Sequence, residues 1–236
     1  MFWRTGVRSD DGLFDPQRPW IASQSLLEEV RTLEAVLPPA AEIEPWATLS
    51  GHEPNNLFLN LGGRRFADVS GLSGVDHEGD ARVVAVWDYD RDGRIDLAIA
   101  NANAPRLQVF RNRLGEGGGH GFVAVRLVGG NRRDQPSERW SARDGYGARV
   151  VVTVGEERRV IEHRCGEGFA AQNSATRLIG LGDRDEVDSL TVVWPSGVIQ
   201  ATRGVPAASL VTVYEDPRQA PDGKAFEIVS YRTPAR

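Results

Sequence analysis

Apolar positions along the chain follow a helical period in one short region and a strand period almost everywhere else. Between Ile21 and Leu37, the residues Leu26, Leu27, Val30, Leu33, Val36 and Leu37 recur at the spacing that lines one side of a helix. Ser23 or Ser25 can cap its start. Pro38-Pro39 ends it, because proline lacks the N–H the helical ladder needs and clashes with the preceding turn. The pattern predicts one N-terminal helix packed on a sheet, preceded over residues 1–20 by an irregular arm of Gly, Pro, Asp and aromatic residues.

From Leu57 onward, short β-branched runs alternate with turn residues. They predict strands at Leu57–Asn60, Phe66–Ser70, Arg82–Trp87, Leu97–Asn101, Leu107–Arg111 and Phe122–Val128. A second series is predicted at 148–154, 158–164, 176–181, 189–194, 198–202 and 209–214, and Phe226–Tyr231 can add an edge strand. Side chains alternate across a strand, so Ala148, Val150, Val152 and Val154 share a face opposite Arg149, Val151 and Thr153. Leu190, Val192 and Trp194 repeat this half-buried pattern. Gly155-Glu156-Glu157 and Pro195-Ser196-Gly197 supply hairpin turns. The Gly-rich stretch 115–121 is a flexible connector and not a phosphate loop, since no Lys-Ser/Thr follows it and the next element is a strand. Asn131–Arg143 is a long polar excursion.

One of the turns carries chemistry. Asp88-Tyr89-Asp90-Arg91-Asp92-Gly93-Arg94-Ile95-Asp96 has the spacing Asp-x-Asp-x-Asp-Gly-x-x-Asp. Calcium takes six to eight hard oxygen ligands, and carboxylates at loop positions 1, 3 and 5 converge on one point if the chain coils tightly. Gly93 permits the sharp turn, the carbonyl of Arg94 is the expected ligand at position 7, and Asp96 closes the site directly or through water. The predicted metal residues are therefore Asp88, Asp90, Asp92, Arg94 and Asp96, holding a structural Ca2+. Position 12 is Ile99 where an EF-hand needs Glu, and the flanks read as strands, so the loop joins two strands and not two helices. Magnesium, with its stricter octahedral geometry, is the competing ion.

Composition narrows the picture. The net charge of −5 disfavours a nucleic-acid partner, and no apolar run approaches the ~18 residues of a membrane span. Cys165 is the only cysteine, so no intrachain disulfide forms and a metal ion is one alternative source of stability. The first residues lack the charged and apolar regions of a signal peptide.

Asn56–Asn60, Gly62-Gly63, Phe66–Ser70 and the Asp88–Asp96 loop together resemble an FG-GAP/VCBS repeat. Arg143–Val150, Gly166–Phe169 with Gln172-Asn173, Leu178–Gly182 and Val193–Gly197 resemble the ASPIC/UnbV domain of the cartilage acidic protein family. The resemblance implies calcium binding in a propeller-blade loop, extracellular, periplasmic or cell-surface location, cell adhesion, and a protein or glycan ligand, with no catalytic residue to carry over. One chain supplies one such repeat, short of the several blades of a closed propeller, and extra residues stand around Gln135–Ser141. The expected fold is mainly β: a propeller-blade-like calcium-loop sheet packed with a C-terminal β-sandwich-like domain. The expected divisions are 1–54 arm and helix, 55–114 calcium repeat, 121–216 ASPIC/UnbV-like domain and 217–236 tail.

Other residues are weighed against this reading. His163 and Cys165, two apart on an expected strand, would share a face and could form a Cys–His nucleophile or metal site. No third member is identifiable, so a surface histidine and a partly buried cysteine are expected. His52, His77 and His120 read as solvated, and Asp183–Asp188 as a polar turn between strands. Trp87 and Trp194 are expected in the core. The alternatives are an intracellular accessory protein or enzyme of a biosynthetic pathway, or one part of a larger assembly, in the cytoplasm if no export signal exists.

Overall fold

The alternation at 148–154 has a direct structural outcome: Ala148, Val150, Val152 and Val154 are all buried, as are Leu190, Val192 and Trp194. They face Val123, Val125, Leu127, Ile179, Leu181, Val211 and Val213 in one apolar cluster. These residues come from two four-stranded sheets that pack as a sandwich. The computed structural model describes residues 54–102, 104–114 and 121–232. The arm, the helix expected at Ile21–Leu37, His52 and His120 lie outside the described residues.

In chain order the described strands are β1 (Phe58–Asn60), β2 (Phe66–Asp68), β3 (Ala81–Trp87), β4 (Asp96–Asn101), β5 (Leu107–Phe110), β6 (Gly121–Val128), β7 (Arg149–Val154), β8 (Glu157–Glu162), β9 (Arg177–Gly182), β10 (Glu186–Val193), β11 (Ile199–Pro206), β12 (Ser209–Tyr214) and β13 (Phe226–Ser230). One sheet of the sandwich runs β11–β10–β7–β8, the other β13–β12–β6–β9, and β1–β2 and β3–β4–β5 form two smaller sheets. β12 pairs with β6 in parallel, with Val211 opposite Val125, while β10 pairs antiparallel with β7, Val192 opposite Val150. The predicted strands thus form, and the fold is mainly β. Where a strand was expected to reach Ser70, the chain instead makes a helical turn at Ser70–Ser73. Ser70 is drawn out of the strand, its hydroxyl accepting from the Leu57 N–H and its N–H donating to Asp68.

The Pro195-Ser196-Gly197 turn closes with Trp194 N–H to Val198 C=O at 2.9 Å. The Trp194 indole N–H donates to Gln200 Oε1 at 2.7 Å, satisfying the one polar atom of a buried ring. Gly145, at φ +68°, sits where a Cβ would press on the Trp194 ring, so the Arg143–Gly147 motif is a close approach that a larger residue would spoil. The excursion after Asn131 is exposed but anchored. The Asn131 side chain bonds the backbone of Ser137 and Trp140, and the buried Glu215 carboxylate accepts from Gly130 N–H, Ser141 N–H and the Ser141 hydroxyl.

The chain divides into two compact units. Of the described residues, one takes those up to Val84 together with those of Ile99–Gln108, and the other takes Ala85–Ala98 together with those from Val109 onward.

Candidate metal centre

The acidic loop joins β3 to β4, and its coil is built by its own side chains. Asp88 accepts from the N–H of Asp92 at 3.1 Å and of Gly93 at 2.8 Å, and Asp92 accepts from Arg94 N–H at 2.9 Å. Such short carboxylate-to-backbone bonds are what Asp offers a turn. Gly93 adopts φ +90°, and Arg91 takes a positive φ of 59° beside it. A Cβ on Gly93 would run into the Phe122 ring, so the glycine is required by a neighbour as well as by the turn.

Asp96 is fully buried, accepting from Tyr89 N–H at 3.0 Å and from Asn112 N–H at 2.8 Å. One carboxylate oxygen from each of Asp88, Asp90 and Asp96 lies within 4.8 Å of the others. Two oxygens bound to one calcium at ~2.3–2.6 Å can stand at most ~5.2 Å apart, so this span suits a single ion. The same closeness costs about 3 kcal/mol of repulsion per ionised pair at an effective dielectric of ~20, which some cation must offset.

Asp92 and Arg94 are placed differently from the expectation. The Asp92 carboxylate is turned to the Arg94 guanidinium, with Arg111 Nη2 at 3.3 Å, and is not part of the three-carboxylate group. Arg94 also donates from Nε to the Asn112 carbonyl at 2.9 Å. Arg111 Nε stands 2.7 Å from Asp90 Oδ2.

Burial pushes the Asp88 carboxyl above its ordinary range, against the two backbone donors, which lower it. The Tyr231 hydroxyl donates to Asp88, and burial followed by the Asp88 charge holds that phenol up at about 12. Tyr231 packs edge-on against Phe122, ring centroids 5.4 Å apart, and Arg232 donates to the Asp92 carbonyl at 3.3 Å. No sequence signal singled out Arg111, Asn112, Phe122 or Tyr231, because each reaches the loop only through the fold.

β3 is held in turn by the ASPIC/UnbV-like motif: Val86 N–H donates to Asn173 Oδ1 at 2.9 Å, and Ser174 N–H to the Val86 carbonyl. Asn173 is oriented by Glu167, itself paired with Arg177 at 2.9 Å.

His163 and Cys165 do not share a face. β8 ends at Glu162, His163 is buried and Cys165 exposed, the reverse of the expected exposures. His163 stacks on Tyr146 at 4.8 Å, and its Nε2 lies 3.0 Å from the Asp144 carbonyl. A carbonyl only accepts, so Nε2 carries the proton. Burial, then the Arg177 charge, pushes this imidazole below its ordinary value. The pair forms no nucleophile or metal site. Asp183–Asp188 does not gather into a metal-sized group among the described residues, and Asp188 instead accepts from Gly155 N–H at 2.6 Å. His77 is half-buried and accepts from Gly79 N–H at 2.8 Å. Trp194 is in the core as expected, and Trp87 is half-buried against Tyr89, ring centroids 6.3 Å apart. No helix among the described residues is long and apolar enough to cross a membrane.

This is a mainly β protein that carries an ASPIC and UnbV domain, matched over residues 138–220. It is similar to cartilage acidic protein 1. Identity is 35% to the Mus musculus protein and 34% to the Homo sapiens protein over 86 residues, which are 36% of this chain and 12% of each relative. Identity to the Xenopus tropicalis protein is 40% over 65 residues, or 27% of this chain and 10% of the relative. The matched stretches therefore span about a tenth of the length of these relatives.

Proposed function

We propose that residues 88–96 hold one calcium ion, and that this ion stabilises an extracellular β-module that engages a protein or a glycan. The observation that carries the reading is the convergence of Asp88, Asp90 and Asp96 within 4.8 Å on a coiled turn between two strands. When bound, the ion supplies positive charge to carboxylates that otherwise repel one another. The chain's own residues do the rest. Asp96 is locked by two backbone donors, Asp88 by Gly93, Asp92 and Tyr231, and Asp90 is the exposed carboxylate, paired with Arg111, that would close on the ion. We read residues 55–114 as an FG-GAP/VCBS-like repeat on the same spacing.

The likeness to cartilage acidic protein 1 supports a place outside the cell. Extracellular calcium modules work with sites of ~10⁻⁴–10⁻³ M, so a site of only three converging carboxylates suffices there. No residue set in the described chain argues for catalysis over this role, since the three carboxylates best placed for proton transfer are those committed to the ion.

Thermal melting with calcium and with EDTA tests the reading. Calcium should raise the melting temperature of the wild type and leave Asp90→Ala at the chelated wild-type value. Superimposable wild-type curves with and without calcium would refute it.

A further inference from the structure

A second site stands apart from the acidic loop. We propose that the arginine-lined cleft at the end of β6 binds the sulfate ester or carboxylate of an acidic sugar. The cleft encloses about 200 Å³; Arg126, Arg132, Arg143 and Asp144 provide its charged walls, and buried Leu127 and Val128 form its floor. This names a ligand class for the glycan arm of the proposed function, but it uses none of the calcium-loop residues.

Charge selects an anion. The Arg126 and Arg132 side chains make no hydrogen bond or ion pair among the described residues, and Asp144 is the one carboxylate among the residues that line the cleft. Arg143 meets Asp144 at 3.2 Å, but both side chains are largely exposed, and such surface pairs are weak and open to exchange. A positive cleft in a chain of net charge −5 is a local departure that the composition does not explain. The chemistry of the donors narrows the choice further: guanidinium presents a planar fork that grips two oxygens of one oxyanion at once.

Size selects a sugar. Drug-sized ligands occupy pockets of ~300–1,000 Å³. A cleft of about 200 Å³ takes a single acidic ring and not a folded peptide segment or a dinucleotide. The lining contains no aromatic residue, and beside its charged walls it offers only Leu127, Val128 and Ala175 as apolar surface.

Hydrogen bonds of the fold hold the backbone of the walls. Gly129 N–H donates to the Arg143 carbonyl at 2.9 Å, and buried His163 holds the Asp144 carbonyl at 3.0 Å. Val128 and Leu127 are the inner end of a central strand. Little backbone ordering is left to oppose binding.

The test is calorimetric titration of the full chain at low ionic strength with a heparin-derived tetrasaccharide. Its desulfated counterpart, inorganic sulfate and a poly-glutamate peptide are the comparison ligands, each run with calcium and with EDTA. The sulfated tetrasaccharide should bind, and its affinity should fall as salt rises. Arg126→Ala with Arg132→Ala, both at exposed positions, should weaken it at least about tenfold, the factor one charge-assisted contact carries. Arg132→Glu should abolish it without moving the melting temperature. Binding that persists in EDTA supports the cleft even if the calcium reading fails. Absence of wild-type binding, equal affinity in the double variant, inorganic sulfate binding as tightly as the saccharide, or tighter binding of the acidic peptide would each overturn the proposal.

Discussion

Arg111 Nε stands 2.7 Å from Asp90 Oδ2, placing a fixed positive charge on the rim of the three-carboxylate group. The same guanidinium reaches Asp92 at 3.3 Å, so it offsets part of the repulsion that a metal would otherwise have to relieve. Under the proposed calcium reading, Arg111 and the ion compete for Asp90.

Arg111→Gln should tighten calcium binding by about three- to tenfold, since a competing charge is removed from a partly exposed carboxylate. Isothermal titration of the two proteins measures it. An affinity that fell instead would mean that Arg111 shapes the site and does not compete for it.

Gly93 combines φ +90° with a neighbour that leaves no room for a Cβ. Left-handed backbone costs a non-glycine residue ~1–2 kcal/mol, and overpacking against Phe122 adds ~1–3 kcal/mol. Gly93→Ala should lose about 2–5 kcal/mol in urea unfolding. A loss below ~0.5 kcal/mol would show that the Phe122 ring yields freely.

Glu215 is a buried carboxylate that accepts from Gly130 N–H, Ser141 N–H, the Ser141 hydroxyl and the Ser196 hydroxyl. It ties the excursion after Asn131 and the Pro195–Gly197 turn to the end of β12. Glu215→Ala strands those donors and should cost ~3–5 kcal/mol, whereas Glu215→Gln keeps the shape and should cost ~1–2 kcal/mol. Equal losses in the two variants, read from denaturant midpoints, would argue that the carboxylate charge, and not the volume or the hydrogen bonds that Gln retains, matters there.

His163 makes a pH prediction. Its folded-state pKa is lowered from 6.5 by burial and by Arg177, so below pH 6.5 the unfolded chain takes up a proton that the folded imidazole resists. Stability from this group is complete above pH 6.5 and declines as pH falls toward the folded-state value, by up to ~1.4 kcal/mol per pH unit. His163→Gln should flatten that decline between about pH 6.5 and 5. A wild-type curve that is level over this interval would contradict the assignment of a neutral buried ring.

Much of the fold was legible in the order of residues because strand patterning is local. Ala148, Val150, Val152 and Val154 had to share a face whatever lay opposite, and the turn chemistry of Pro195-Ser196-Gly197 acts within four residues. The misreadings fall where distant groups intervene. Ser70 left its strand for a bond with the Leu57 N–H, 13 residues away. His163 was buried by Tyr146 and the Asp144 carbonyl, neither of which its local spacing to Cys165 reveals.

By itself the sequence determined that the protein is mainly β and that four Asp and a Gly stand in calcium spacing between two strands. Only the tertiary structure decided which carboxylates converge. Asp96 was drawn inward by the Asn112 amide, Asp88 was met by Tyr231, and Asp92 was claimed by arginines. Spacing sets how far along a loop each carboxylate stands. Its direction and charge environment come from partners distant in sequence, which only the folded chain brings within a few ångströms.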